Sequence, residues 1–241
     1  MSEKRKALLQ SAGYTETDLK PKYHCNDCHD TGFLNDQKCH CLKRMISEAY
    51  MARFNLADGI RGQTFETFDE KIFSKEDQAY AALYRKLGKK ICDEIDQNDE
   101  NYIFIGEPGR GKTFLCSCIV NRLIELGQQV IYISAIQLVD LARKHAALNR
   151  NDQDEDLYEI LTNCDLLIID DLGTEHQTDF SNATLFAIVN ARQLLHRKTI
   201  ISTNLKVADI ANRYEPRFSS RLGGCYKQVL FKGADLRNQV K

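Results

Sequence analysis

The sequence holds no apolar run approaching the roughly 18 residues that a membrane span needs. Its opening, MSEKRKALLQ, has no signal-peptide apolar stretch either. No membrane partner is expected, and the chain reads as cytoplasmic. Net charge is nearly absent too: 33 Lys and Arg against 34 Asp and Glu leave −1 over 241 residues. The molecule as a whole is no electrostatic trap for nucleic acid, so any DNA contact has to come from a local basic patch. There is no internal repeat.

Without a secretory signal, the nine cysteines do not read as a disulfide framework. Five of them (Cys92, Cys116, Cys118, Cys164, Cys225) are scattered among apolar neighbours and read as ordinary buried small residues. The other four crowd together as Cys25-x-x-Cys28 and Cys39-x-Cys41, separated by a ten-residue spacer that contains Gly32. Zn²⁺ favours tetrahedral sulfur and nitrogen ligands, and a turn at Gly32 folds the second pair onto the first. Too few apolar residues lie nearby to hold such a knuckle without metal. His24, His29 and His40 are possible replacements for a cysteine, and an iron–sulfur cluster or four free thiols are the rival readings.

The texture changes near residue 60, which divides the chain into a helical and zinc-binding module (1–60, with a helix near 42–54) and a larger domain (61–241). In the latter, short runs rich in Ile, Val, Leu, Phe and Tyr at 101–106, 129–134, 165–170, 199–203 and 226–231 fit strands buried on both faces. Helical patterns at 112–125, 135–147, 154–163 and 182–196 alternate with them. This order predicts a doubly wound α/β three-layer sandwich around a five-stranded parallel sheet. The polar stretch 149–156 reads as a surface loop.

The first strand runs into Gly106-Glu107-Pro108-Gly109-Arg110-Gly111-Lys112-Thr113-Phe114 and then into a helix. This is the strand–loop–helix context of a P-loop. Its glycines let backbone amides turn toward phosphates, and the helix adds its N-terminal dipole. Lys112 is expected at the β- and γ-phosphates of ATP and Thr113 at Mg²⁺. The third strand ends in Asp170-Asp171, where an open α/β sheet places its ligand chemistry. Asp170 is the expected Mg²⁺ partner and Asp171 the base that orients water, unless the pair caps the following loop. Asn204, after the fourth strand, reads as a donor to the γ-phosphate or lytic water, or else as a turn former. Arg217 and Arg221, four apart, share a helical face. They are either a solvated basic patch or a source of arginine for a neighbouring chain's γ-phosphate.

These motifs, in this order, resemble those of AAA+ ATPases of the DnaC/DnaI type, the bacterial replicative-helicase loaders. The resemblance rests on Cys25-Asn-Asp-Cys28-His-Asp-Thr-Gly-Phe33 with Cys39-His-Cys41, on Asp165-Leu-Leu-Ile-Ile-Asp170-Asp171-Leu-Gly-Thr-Glu175, on 199–205 and on 217–222. It implies Lys112 and Thr113 as Walker A, Asp170 and Asp171 as Walker B, Asn204 as sensor 1 and Arg221 as the arginine finger, with Arg217 beside it. Arg237 falls where a sensor-2-like arginine could. It also implies ATP or ADP, Mg²⁺ and Zn²⁺ as cofactors, with the replicative hexameric helicase, single-stranded DNA and other copies of the chain in a ring or spiral as partners. Arg143, Lys144, His145 and Arg150 form a local basic stretch between the second and third strands, where this family carries an added DNA-binding helix; a solvated helix face is the other reading.

Three departures are visible. Asp171 stands where many AAA+ proteins have Glu, so slow hydrolysis is expected. Little chain follows residue 231, so no C-terminal lid domain is expected. Family members of this type carry a further helical segment ahead of the cysteine cluster, whereas this sequence opens with a charged, helix-like run, so a short natural variant or a trimmed chain is expected. A transposition helper ATPase of the IstB type, acting on duplex DNA, is the alternative, and a stand-alone ATPase is a third reading.

Overall fold

A computed structural model of the chain describes residues 9–15, 18, 20–53, 60, 62–147 and 157–238. Two compact units divide at Leu42 and Lys43. In the first, β1 (Phe33–Leu34) pairs antiparallel with β2 (Gln37–Lys38). The two-residue turn between them is Asn35-Asp36, with φ of 48° and 62°. Asn and Asp tolerate this left-handed region, and turns with both central residues there match the twist of a hairpin. Cys39 then leads into α1 (His40–Arg53).

The division falls earlier in the chain than the change of texture near residue 60. Beyond Leu42, α1 carries Ser47, which is wholly buried and accepts the Val130 N–H at 2.9 Å. Lys43 pairs with Asp165 at 3.0 Å. These polar ties make the later part of α1 a component of the larger unit.

That unit contains α2 (Gln78–Asp93), β3 (Asn101–Ile105), α3 (Lys112–Glu125), β4 (Val130–Ser134), α4 (Ala135–Ala147), α5 (Leu157–Asn163), β5 (Leu166–Leu172), α6 (Asp179–Leu194), β6 (Lys198–Thr203), α7 (Val207–Arg213), α8 (Pro216–Cys225) and β7 (Tyr226–Leu230). The strands form one five-stranded sheet in the order β4-β5-β6-β3-β7, every neighbouring pair parallel. Period-two alternation sorts its side chains into two cores. Ile103, Ile131, Leu167, Ile169 and Ile201 pack with apolar residues of α4 to α8. Tyr102, Phe104, Val130, Ile168 and Ile200 pack with those of α2 and α3. The result is a helix–sheet–helix sandwich, as the alternation predicts. The polar stretch 149–156, and Arg150 in it, lie outside the described residues.

Two helices go beyond the sequence reading, α2 and α7. In α2, Gly88 lets the helix approach α3, since a Cβ there would stand 2.7 Å from Leu115 Cδ1. The chain leaves β3 and crosses to β4 at the far edge, whereas β6 and β7 flank β3. Such a reversal of strand order opens a crevice at the strand ends, and the P-loop emerges there.

Candidate nucleotide site

Gly109 and Gly111 hold φ of +78° and +88° in the loop between β3 and α3, a region that favours glycine. At Gly109 the fit is also tight, because a Cβ would lie 1.9 Å from Asp235 Oδ1. The backbone there also accepts the Leu236 N–H at 2.9 Å. Lys112 opens α3 and is 4% exposed. Its ammonium donates to Gly106 O at 2.5 Å, Glu107 O at 2.9 Å and Asn204 Oδ1 at 2.7 Å. Burial pulls its pKa down, against the charges of Asp171 and Asp170.

Asp170 is 5% exposed and accepts from three hydroxyls. Thr113 Oγ1 reaches Oδ2 at 3.2 Å, Tyr132 donates to the same oxygen, and Ser202 donates to Oδ1. Between Ile169 and Leu172 the β5–β6 ladder slips. Asp171 sits in that slip with φ of +54°, its N–H donated to Ser202 Oγ at 3.0 Å. A bulge of this kind re-aims a side chain at the strand end. Burial, then the charge of Asp170, raises the Asp171 pKa, with Lys112 and Arg237 opposing.

These groups surround a cavity of about 550 Å³, lined by Lys112, Thr113, Asp171 and Asn204 together with Pro108, Gly109, Arg110, Gly111, Phe114 and Arg237. That volume suits a cofactor-sized molecule. Phe68, Phe73 and Phe114 give it an apolar wall, Phe68 meeting Phe114 edge-on at 5.6 Å. Arg110 pairs with Glu107 at 2.5 Å.

Sequence reasoning had missed Tyr132, Ser202 and the two phenylalanines before α2. The repeated Phe in Thr64-Phe-Glu-Thr-Phe68-Asp-Glu-Lys-Ile-Phe73 was the available signal for the wall. Arg217 and Arg221 lie on α8 and are not among the cavity's lining residues. Arg217 is exposed. Arg221 is half-buried, donates to Gln193 Oε1 at 2.6 Å and lies 5.8 Å from the Phe186 ring. The helix that carries them runs on through Gly223 to Cys225. On α4, Arg143, Lys144 and His145 occupy the end of the helix, with Arg143 3.8 Å from Asp140 and 5.8 Å from the Phe180 ring.

In the first unit the thiols of Cys25, Cys28, Cys39 and Cys41 lie within 4.8 Å of one another. Cys25 and Cys39 are 3.8 Å apart, Cys28 and Cys41 3.4 Å. Tetrahedral zinc with Zn–S near 2.3 Å puts sulfurs roughly 3.8 Å apart, so the set fits the ion. The Gly32 N–H points to Cys28 Sγ at 3.4 Å, a contact suited to a thiolate. His40 Nε2 is 3.8 Å from Cys25 Sγ, and its Nδ1 lies 3.4 Å from Asp27.

A family model described as IstB-like ATP binding protein matches residues 44–215. The chain belongs to that family. Among curated relatives of this IstB-like chain, the replicative helicase loader DnaC of Buchnera aphidicola subsp. Baizongia pistaciae is 32% identical, over 78% of this chain and 76% of its own. That similarity also places the chain in the DnaC family. DnaC of Escherichia coli K12 is 29% identical over 63% of this chain, which spans 62% of that relative's length. The crystal structure of a DnaC helicase loader superposes with a TM-score of 0.62 at 20% identity, covering 73% of this chain and all of that one. It shows the same AAA+ P-loop fold. Among the described residues, no helix is long and apolar enough to cross a membrane.

Proposed function

We propose that the chain is an ATP-dependent loader of the replicative DNA helicase, acting in the cytoplasm. The observation that carries this reading is the similarity to a DnaC loader over three quarters of both chains. Lys112 would neutralise the terminal phosphates of ATP and Asn204 would orient them. Thr113 and Asp170 would hold Mg²⁺, which would offset the negative charge of the phosphates. Asp171 would orient water for hydrolysis to ADP. The four thiolates would hold structural zinc.

Arg221, with Arg217 beside it, would serve a neighbouring copy's nucleotide in a ring or spiral, and Arg143, Lys144, His145 and Arg150 would meet single-stranded DNA. An arginine supplied in trans spreads the charge of the transferring phosphoryl group and is worth ~10³–10⁵ in rate. Its absence from the chain's own cavity lining supports this use.

The IstB-like family match favours a second reading, a transposition helper acting on duplex DNA. One experiment separates the two. The chain, the host's hexameric helicase and a single-stranded DNA circle are mixed with and without ATP, and helicase retained on the circle is measured. ATP-dependent retention supports loading. No helicase binding, with ATP-dependent binding to duplex DNA instead, would defeat it.

A further inference from the structure

The turn that follows Asp171 contains a carboxylate with no part in the nucleotide site. Glu175 is 3% exposed. Each of its oxygens is committed to a different segment. Oε2 accepts the N–H of Gly173, just past the end of β5, at 2.9 Å. Oε1 accepts the hydroxyl of Tyr214, which follows α7, at 2.5 Å. The Arg213 guanidinium at the end of α7 joins them, donating to the Glu175 carbonyl at 2.6 Å and lying 3.5 Å from Oε1. Gln177 closes the ring by donating to Arg213 O at 2.7 Å.

Both ends of this link bear on functional elements. Upstream, Thr174 donates from its backbone and its hydroxyl to Asp171 O at 3.2 and 2.7 Å. Gly173, at φ +105°, leaves room for Leu205, the residue after Asn204; a Cβ there would lie 2.6 Å from Leu205 Cδ1. Downstream, the buried ring of Tyr214 packs on Phe218 at 5.0 Å. Phe218 lies between Arg217 and Arg221 on α8. Burying a carboxylate is costly unless its lone pairs are used, and an apolar residue would fill the same space more cheaply. What the carboxylate adds is a directional tie between β5 and the α7–α8 arm.

We propose that Glu175 is a positioning residue that fixes the α7–α8 arm to the nucleotide end of β5, so that the arm presents its arginines to a neighbouring chain. This rests on the trans-arginine reading above. Glu175→Gln keeps the volume but removes the charge that Arg213 and Tyr214 require. ATP affinity should be unchanged, while assembly-stimulated turnover falls by about 10², the cost of misplacing a catalytic group by roughly an ångström.

Mixing variants distinguishes an arm defect from a defect in the chain's own site. Glu175→Gln with Lys112→Ala should recover activity, because the Lys112 variant supplies a sound arm to a sound site. Glu175→Gln with Arg221→Ala should not, because both lack the arm. Recovery in the second mixture instead of the first, recovery in neither while ATP still binds, or undiminished stimulation of Glu175→Gln alone each overturns the proposal. The pair Lys112→Ala with Arg221→Ala is the control. If it fails to complement, the trans reading has failed and the role of Glu175 falls with it. Should Glu175→Gln not fold, Tyr214→Phe removes one hydroxyl, keeps the ring, and should give the same pattern of complementation.

Discussion

The ammonium of Lys112, at the start of α3, lies 2.7 Å from the amide oxygen of Asn204, beyond the end of β6. Two motifs far apart in the chain thus meet at one point, each able to face a terminal phosphate. Lys112→Ala removes the fixed charge from the loop and should weaken ATP binding by about 10²-fold or more, as loss of a charged hydrogen-bond donor does. Asn204→Ala leaves that charge in place. It should spare binding and lower turnover, with kcat down about 10²- to 10³-fold, the scale of one positioned polar group. Equilibrium titration with labelled ATP and steady-state kinetics check both. A Lys112 variant that binds ATP normally would remove the cavity from the nucleotide site.

Asp171 makes the opposite demand on stability from that of a salt-bridged carboxylate. Burial and the charge of Asp170 raise its pKa above the ordinary 3.8. The folded chain therefore holds this proton more tightly than the unfolded chain. Ionised Asp171 costs stability at neutral pH; the cost shrinks as pH falls below the raised folded value and is gone once pH is below the ordinary 3.8. Asp171→Asn should consequently melt at a higher temperature than the wild type at pH 7, with the gain shrinking toward pH 4, while ATP hydrolysis is lost. Equal melting temperatures at both pH values would refute a raised pKa for this side chain.

Part of this site was legible in the sequence because its pieces are contiguous there. A strand, a glycine-rich loop and a helix follow one another from Asn101 to Glu125, and Asp170-Asp171 end one apolar run. Tyr132 and Ser202 were not legible. They reach Asp170 from the strands on either side, through a register that depends on the whole sheet. The α2 helix was missed because its buried face uses Ala81, Tyr84, Gly88, Ile91 and Cys92. The spacing is helical, but two of these are small and one is glycine, so the apolar signal is faint. At α8 the helical spacing of Arg217 and Arg221 was legible, but the helix runs past them through Gly223 and Gly224 to Cys225.

The cysteine knuckle should carry one Zn²⁺ per chain. The thiol positions, within 4.8 Å of one another, match tetrahedral sulfur ligation. Elemental analysis of protein purified without added metal should find about one equivalent of zinc. Cys28→Ser should lower that content, with the far-ultraviolet spectrum of the larger unit little changed. Iron with a visible absorption band, or four thiols that all react freely with a disulfide reagent in the native chain, would contradict zinc ligation.

Arg192 tests the fold rather than the site. This side chain of α6 is fully buried. Its guanidinium donates to the carbonyls of Leu161, Thr162 and Cys164 at 2.7, 3.2 and 3.0 Å, to Lys198 O at 2.6 Å, and to Thr199 Oγ1 at 3.0 Å. The first three carbonyls lie at the end of α5, where the helix dipole favours a cation. Arg192→Met fills the space but leaves these acceptors unpaired, for a loss of about 3–5 kcal/mol. Arg192→Lys keeps the charge but replaces a planar fork with one compact donor, leaving some of these buried acceptors unpaired, and should cost about 1–3 kcal/mol. Urea unfolding at constant slope measures both. A Lys variant as stable as wild type would show that charge alone, without the fork, holds α5, α6 and β6 together.

The basic end of α4 offers the last test, directed at DNA. Arg143 lies 5.8 Å from the ring of Phe180, a residue 38% exposed, and Lys144 and His145 follow it. Arg143 is also 3.8 Å from Asp140, an exposed pair that contributes at most about 1 kcal/mol and that a phosphate can replace. A net charge of −1 provides no background attraction, so strand binding should depend on the few local cations. Each phosphate neutralised on single-stranded DNA contributes about −0.7 to the slope of log affinity against log salt. Replacing Arg143 and Lys144 together with Ala should therefore flatten that slope by about 1.4 and weaken ATP-dependent binding at low salt. Folding and ATP affinity should be untouched, because both side chains lie outside the cavity lining. An unchanged slope would remove these two residues from the strand-binding surface, whatever the rest of α4 does.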